Sequence, residues 1–263
     1  MAKWKPTPSF TEETSITSLH KKLPPQVLRK MRWLIAHTIC DPNYPRSIEY
    51  RAILRNLDLS NEQILDVGCG SADTLKFLQA YLPSIKSIGV DVRTSALKQG
   101  LDRFPTIQFI AASAEFLPFR ASSFDRILCS SALEHFKNDT AGLSEINRSL
   151  KERGIFVMTT DSVKWLSLGD WQKVHARVAF VKRYYSKTTL SREFEESRLK
   201  VVNIQFVHTS KLAAFFLKMG IKFNWKGFAW IGLSLFGIAL TAMCNWAKEK
   251  EGFTLLAVCT KTL

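Results

Sequence analysis

The chain has 263 residues, 46% of them hydrophobic and 23% charged, which suits one α/β domain with insertions and excludes a disordered or collagen-like polypeptide. Its net charge of +14 is uneven: residues 61–160 carry 11 basic and 11 acidic side chains, residues 1–60 carry 10 against 5, and residues 161–263 carry 16 against 7. The excess therefore lies on the two flanks, where an anionic membrane or a nucleic acid would be met.

Residues 1–25 are rich in Thr, Ser, Pro and Lys and end in Leu23-Pro24-Pro25, which reads as a mobile tail. No apolar run follows its positive charges, so a cleaved signal peptide is not expected and the bulk of the chain is assigned to the cytoplasm. From Gln26 to Cys40, Val27, Leu28, Met31, Leu34 and Ile35 recur at helical spacing with Arg29, Lys30 and Arg32 on the other side. That amphipathic basic helix is either a lid or core helix or a membrane-surface helix. Asp41-Pro42-Asn43-Tyr44-Pro45 should break it, and Ser47 to Leu57 resumes as a helix, giving an N-terminal helical extension over 26–60.

Short apolar runs then alternate with helical stretches, the pattern of a parallel sheet wrapped by helices. The strands read Gln63–Val67, Ser87–Val90, Ile107–Ala111, Phe124–Ser130 and Gly154–Thr160, with helices at Thr74–Tyr81, Ser95–Arg103 and Thr140–Lys151. Val201–Val207 and Phe253–Cys259 complete a sheet of seven. The five cysteines, Cys40, Cys69, Cys129, Cys244 and Cys259, are an odd set without CxxC spacing and read as free thiols of a reducing compartment. No metal site is expected.

The first strand runs directly into Asp66-Val67-Gly68-Cys69-Gly70-Ser71-Ala72, a glycine turn that lets backbone approach a ligand closely. Position 73 is Asp where a dinucleotide fingerprint needs its third glycine, which disfavours nicotinamide or flavin. Asp91 follows Gly70 by 21 residues at the end of the second strand, where a carboxylate can take both hydroxyls of a ribose. Three further stretches follow in order: Ala112-Ser113-Ala114-Glu115 with Leu117-Pro118-Phe119; Ser123-Phe124-Asp125 leading to Ser130-Ser131-Ala132-Leu133-Glu134-His135; and Ile146-Asn147-Arg148-Ser149-Leu150-Lys151 before Gly154.

This series resembles the motifs of the class I S-adenosylmethionine-dependent methyltransferases, and within them the broad group that includes quinone, sterol and other small-molecule or lipid methyltransferases. Ala72 departs from the usual third glycine. The resemblance covers about 100 residues and implies a Rossmann-like seven-stranded methyltransferase sheet with helices on both faces, spanning 61–263, with an apolar helical insertion before the last strand. It implies S-adenosylmethionine as cofactor and Asp66, Gly68, Cys69, Gly70, Asp91, Val92, Ala114, Glu115 and Ser130 as its contacts. Cys69 can equally be a packing residue, Asp125 a turn or cap, and Glu134 a charge on a helix surface. On the acceptor side His135 and His175 are the candidate catalytic residues, and Tyr184 and Tyr185 belong to the same covering region; His135 can also be structural. Transfer from a sulfonium needs a base only if the acceptor must lose a proton.

The insertion, about 211–250, contains Phe228 to Ala247, 20 residues without a charge. As a helix they would reach about 30 Å, enough to cross a bilayer. Three readings stay open: an element dipping into one leaflet beneath Lys211, Lys218, Lys222 and Lys226, a true span with the last strand unpaired, or a buried core or contact helix. The expectation is a membrane-docked methyltransferase of a hydrophobic acceptor, with a membrane surface as partner and nucleic acid not expected. The rivals are a soluble methyltransferase of a small metabolite or RNA, and a cofactor-binding protein without catalytic activity.

Overall fold

The computed structural model describes residues 44–57, 63–81, 83, 85–207 and 252–262; the expected tail, the helix at Gln26 to Cys40 and the apolar run at Phe228 to Ala247 lie outside the described residues. Seven strands form one sheet: β1 (Gln63–Val67), β2 (Lys86–Asp91), β3 (Gln108–Ala111), β4 (Phe124–Ser130), β5 (Leu150–Asp161), β6 (Leu199–Val207) and β7 (Thr254–Lys261). Their order is β3-β2-β1-β4-β5-β7-β6. Strands β1 to β5 are parallel, and β7 runs antiparallel between β5 and β6.

Pairing of β7 with Ile155–Asp161 on one side and Leu199–Val207 on the other excludes the reading in which the last strand leaves the sheet to follow a membrane span. The register sets Asp161 and Val207 both opposite Thr254. The chain therefore leaves β6 and returns to β7 at the edge where β1, β2, β4 and β5 end. Ser162 secures the return, its hydroxyl donating to the Gly252 carbonyl while its N–H donates to the Phe253 carbonyl.

Among the described residues six helices cover the sheet: α1 (Tyr44–Asn56), α2 (Asp73–Tyr81), α3 (Thr94–Arg103), α4 (Asp139–Ser149), α5 (Asp170–Ala179) and α6 (Lys187–Glu196). Two apolar clusters result, one on each face. Tyr50 and Ile53 of α1 and Leu57 just after it join Leu75 and Leu78 of α2 against Ile64, Leu128 and Val157. Leu143 and Ile146 of α4 and Leu190 and Phe194 of α6 pack on Leu65, Ile127 and Phe156. Fully burying each such side chain contributes about 1.5–3 kcal/mol, so the α1 anchors alone hold that helix on the sheet.

Helix α1 begins at Tyr44, earlier than the pattern suggested, because Pro45 falls in its first turn, where the missing N–H costs no helical hydrogen bond. The sequence reading assigned no element between Thr160 and Val201, yet α5, α6 and a 3₁₀ turn at Val163–Leu168 lie there. Helix α6 is opened by a capping box, Ser186 accepting from the Thr189 N–H while Thr189 accepts from that of Ser186.

Candidate active site

Strand order reverses between β1 and β4, and at such a switch point the loops leaving the two strands diverge to opposite faces and leave a crevice. A cleft of about 1420 Å³ opens there, lined by Asp66, Gly68, Gly70, Asp91, Ser130 and residues of the loops that follow.

The turn after β1 is left-handed at Gly68 (φ 76°), Gly70 (φ 55°) and Ala72 (φ 63°). A side chain on Gly68 would collide with Ala132 Cβ, so the loops after β1 and β4 meet backbone to side chain only because position 68 is glycine. The Gly68 and Cys69 N–H groups donate to the Val90 carbonyl at 2.7 and 3.0 Å. Asp91, 6% exposed, accepts from the Gly70 N–H at 2.8 Å through one oxygen and from the Arg93 N–H at 2.8 Å through the other. Arg93 Nε donates to that second oxygen as well, at 3.3 Å, so the oxygen that accepts from Gly70 is the one that keeps a further lone pair. Asp91 thus ties the ends of β1 and β2 together while lining the cleft.

The other expected contacts are distributed around this turn. Asp66 is buried at the end of β1, and Val92 is 65% exposed beside Asp91. Cys69 packs against Gly89, and burial followed by the negative charges of Asp66 and Asp91 pushes its thiol up. Ala114 is buried in the loop after β3. Glu115 accepts from the Ser113 hydroxyl and from the Lys137 and Asn138 N–H groups at 2.9 and 3.3 Å, joining the loops after β3 and β4. Burial opposes ionisation, yet those donors hold its carboxyl below the usual range. Ser130 donates its hydroxyl to Glu49 at 3.2 Å.

The half of the cleft beyond β4 and β5 is acidic and aromatic. Glu134 is 2% exposed, which corrects the reading of it as a helix-surface charge: its 3₁₀ turn, Leu133–His135, faces the interior. It accepts from the Thr160 hydroxyl at 2.8 Å, and burial followed by the charge of Asp161 raises its carboxyl well above the usual range. Asp125 is neither cap nor turn; it lies in β4 and pairs with Lys151 at 2.9 Å.

His175 of α5 is 8% exposed and stacks on Trp165, with ring centroids 3.7 Å apart. Its Nδ1 lies 3.1 Å from the Tyr184 hydroxyl and its Nε2 3.7 Å from Asp161. Burial raises the Tyr184 phenol above its usual range, with Gln172 opposing the shift. Trp165 Nε1 donates to the other Asp161 oxygen at 3.1 Å. Burial, with a smaller contribution from His135, lowers the His175 pKa from 6.5 to about 4. His135 Nδ1 lies 3.1 Å from the Phe180 carbonyl, while Lys182 Nζ donates to the His135 carbonyl at 2.9 Å. The structure therefore sets both histidines in one cleft but in different surroundings.

Asp161, Trp165 and Glu49 were not singled out by the sequence. Asp161 had a legible signal, an acid closing the fifth strand; Glu49 had none, since only packing of α1 brings it to the cleft.

Seven strands in this order with β7 reversed, and a glycine turn facing an acid at the switch point, define a Rossmann-like methyltransferase fold. Residues 65–158 match the family model described as a methyltransferase domain. The chain is similar to the uncharacterized protein MJ1252 of Methanocaldococcus jannaschii, 30% identical over 60% of this chain and 61% of that one. It is also similar to phthiotriol/phenolphthiotriol dimycocerosates methyltransferase 1 of Mycobacterium ulcerans, 26% identical over 50% and 49%. The matches thus span about half to three-fifths of the length of these two relatives. Among solved structures, geranyl diphosphate C-methyltransferase of Streptomyces coelicolor superposes with a TM-score of 0.61 at 13% identity, covering 82% of this chain and 81% of that one.

Proposed function

We propose that the chain is an S-adenosylmethionine-dependent methyltransferase acting on a hydrophobic acceptor, of lipid, isoprenoid or quinone-like kind, met at a membrane surface. The observation that carries the reading is the glycine turn of β1 facing Asp91 across the switch point of a methyltransferase domain. The residues fit the cofactor. Backbone at Gly68, Cys69 and Gly70, left open by the two glycines, with Asp66 and Ser130, would hold its amino-acid end. Asp91 and Val92 would hold the ribose, and Ala114 and Glu115 the adenine side. When bound, the cofactor supplies an electrophilic methyl group on a sulfonium.

The acceptor then belongs over β4 and β5. There His175 and His135 line the wall, and Asp161, held by Trp165 and 3.7 Å from His175 Nε2, is suited to receive a proton from an acceptor that must lose one. Burial, and then the charge of Asp161, raises the carboxyl of Glu134 beside it above the usual range. Support for a hydrophobic acceptor comes from the mycobacterial relative, named for dimycocerosates, and from the geranyl diphosphate enzyme of like fold. Val207 and Gly252, which bound the stretch containing the uncharged run 228–247, flank the same edge of the sheet. Phe180, 79% exposed, lines the cleft together with Lys137 and Lys182, a combination suited to anionic lipid. Among the described residues no helix is long and apolar enough to cross a membrane.

The test is incubation of source-cell membranes with purified protein and methyl-labelled S-adenosylmethionine, followed by organic extraction, with Asp91→Ala as control. Label in the organic phase only with the unaltered protein supports the reading. Label confined to the aqueous phase refutes the hydrophobic acceptor, and no label at all refutes the activity.

A further inference from the structure

Helix α1 carries a carboxylate into the cleft. Glu49 is 5% exposed, yet it lines the same space as Gly68, Ser130, Ser131 and Ala132. One of its oxygens, Oε1, collects every hydrogen bond it makes to described residues: from Ser130 Oγ at 3.2 Å, Ser131 Oγ at 2.8 Å and Thr159 Oγ1. None of these donors is charged, and Glu49 forms no ion pair with a described cation. Asp66, 1% exposed, brings a second acid to the same space at the end of β1. Burying a carboxylate is unfavourable unless its charge is met, and three hydroxyls on one oxygen leave the charge itself uncompensated.

The position of this charge indicates its partner. Ser131 and Ala132 belong to the loop after β4 that presses on Gly68, so Glu49 is held over the turn assigned above to the amino-acid end of the cofactor. That end carries an α-ammonium and, before transfer, a sulfonium. We propose that Glu49 is a cofactor-binding residue, the counter-charge that the N-terminal helix supplies to the cationic methionyl end of S-adenosylmethionine. The assignment rests on the cofactor reading of the preceding section. It gives α1 a binding role besides its packing, and gives Ser130, Ser131 and Thr159 the role of holding Oε1 so that Oε2 is aimed.

The experiment is calorimetric titration of the full chain and of Glu49→Gln with three ligands. S-adenosylmethionine has both cations, S-adenosylhomocysteine has only the ammonium, and 5′-methylthioadenosine has neither. Glu49→Gln is expected to weaken S-adenosylmethionine about 10- to 100-fold, the range of a charge-assisted hydrogen bond, and to leave 5′-methylthioadenosine within twofold. Unchanged binding of the neutral nucleoside also shows that the variant is folded with its adenosine half intact. Equal weakening of S-adenosylhomocysteine assigns the contact to the ammonium; weakening of S-adenosylmethionine alone assigns it to the sulfonium. Either result supports the proposal. Unaltered S-adenosylmethionine binding, or equal loss for all three ligands, overturns it. Failure of the unaltered protein to bind either S-adenosylmethionine or 5′-methylthioadenosine would instead overturn the cofactor reading, and this assignment with it.

Discussion

Replacing His175 with Gln removes a group that titrates very differently in the folded and unfolded chain. In the fold, burial against Trp165 lowers its pKa to about 4, whereas the unfolded chain restores the ordinary 6.5. Between those values the unfolded state binds the proton and the folded state does not, so stability falls as pH falls through that window and is fully present above it. From pH 7 to pH 5 the difference integrates to about 2 kcal/mol for one such histidine. Chemical denaturation of both proteins at the two pH values isolates it, because all other groups are shared. The unaltered protein is expected to lose about 2 kcal/mol more than His175→Gln over the interval. Identical losses would refute the placement of a neutral, buried imidazole between Tyr184 and Asp161.

Asp91→Ala should release both the Gly70 and Arg93 N–H groups and weaken S-adenosylmethionine and 5′-methylthioadenosine alike by 10-fold or more in calorimetry, in contrast to Glu49→Gln. Gly68→Ala, which meets Ala132 at a left-handed position, should lower the melting temperature and abolish cofactor binding; a variant with native affinity would show that the two loops do not meet as described. Cys69, Cys129 and Cys259 have thiols raised chiefly by burial, so peptide mapping after iodoacetamide at pH 8 should find all three protected in the native protein and modified in denaturant. Glu134→Gln, isosteric with the neutral acid that burial enforces, should leave stability at pH 7 within about 1 kcal/mol, whereas a loss above about 3 kcal/mol would show that the carboxylate is ionised.

The parallel sheet and the glycine turn facing Asp91 were legible in the chain itself. Buried strands such as Gln63–Val67 and Phe124–Ser130 have the same bounds in sequence and structure, because a central parallel strand is covered on both faces and concentrates apolar residues such as Ile64, Leu65, Ile127 and Leu128. Gly68, Gly70 and Asp91 were likewise readable, since a close backbone turn restricts which residues can stand there. The region from Asp161 to Arg198 was not, because short amphipathic helices on a surface carry a weak periodic signal and take their place from what they cover.

Local sequence therefore determined the fold class, the order of the first five strands and the turn after β1, all consequences of contacts between near neighbours and of hydrophobic period. Only the tertiary structure decided that β7 lies between β5 and β6, and that Glu134 faces inward. The same holds for His175 meeting Asp161 beside Trp165, and for Glu49, 81 residues from Ser130, completing the cleft from the opposite end of the domain. Each of these depends on desolvation and charge shared between segments distant along the chain, and no local pattern records which segments meet.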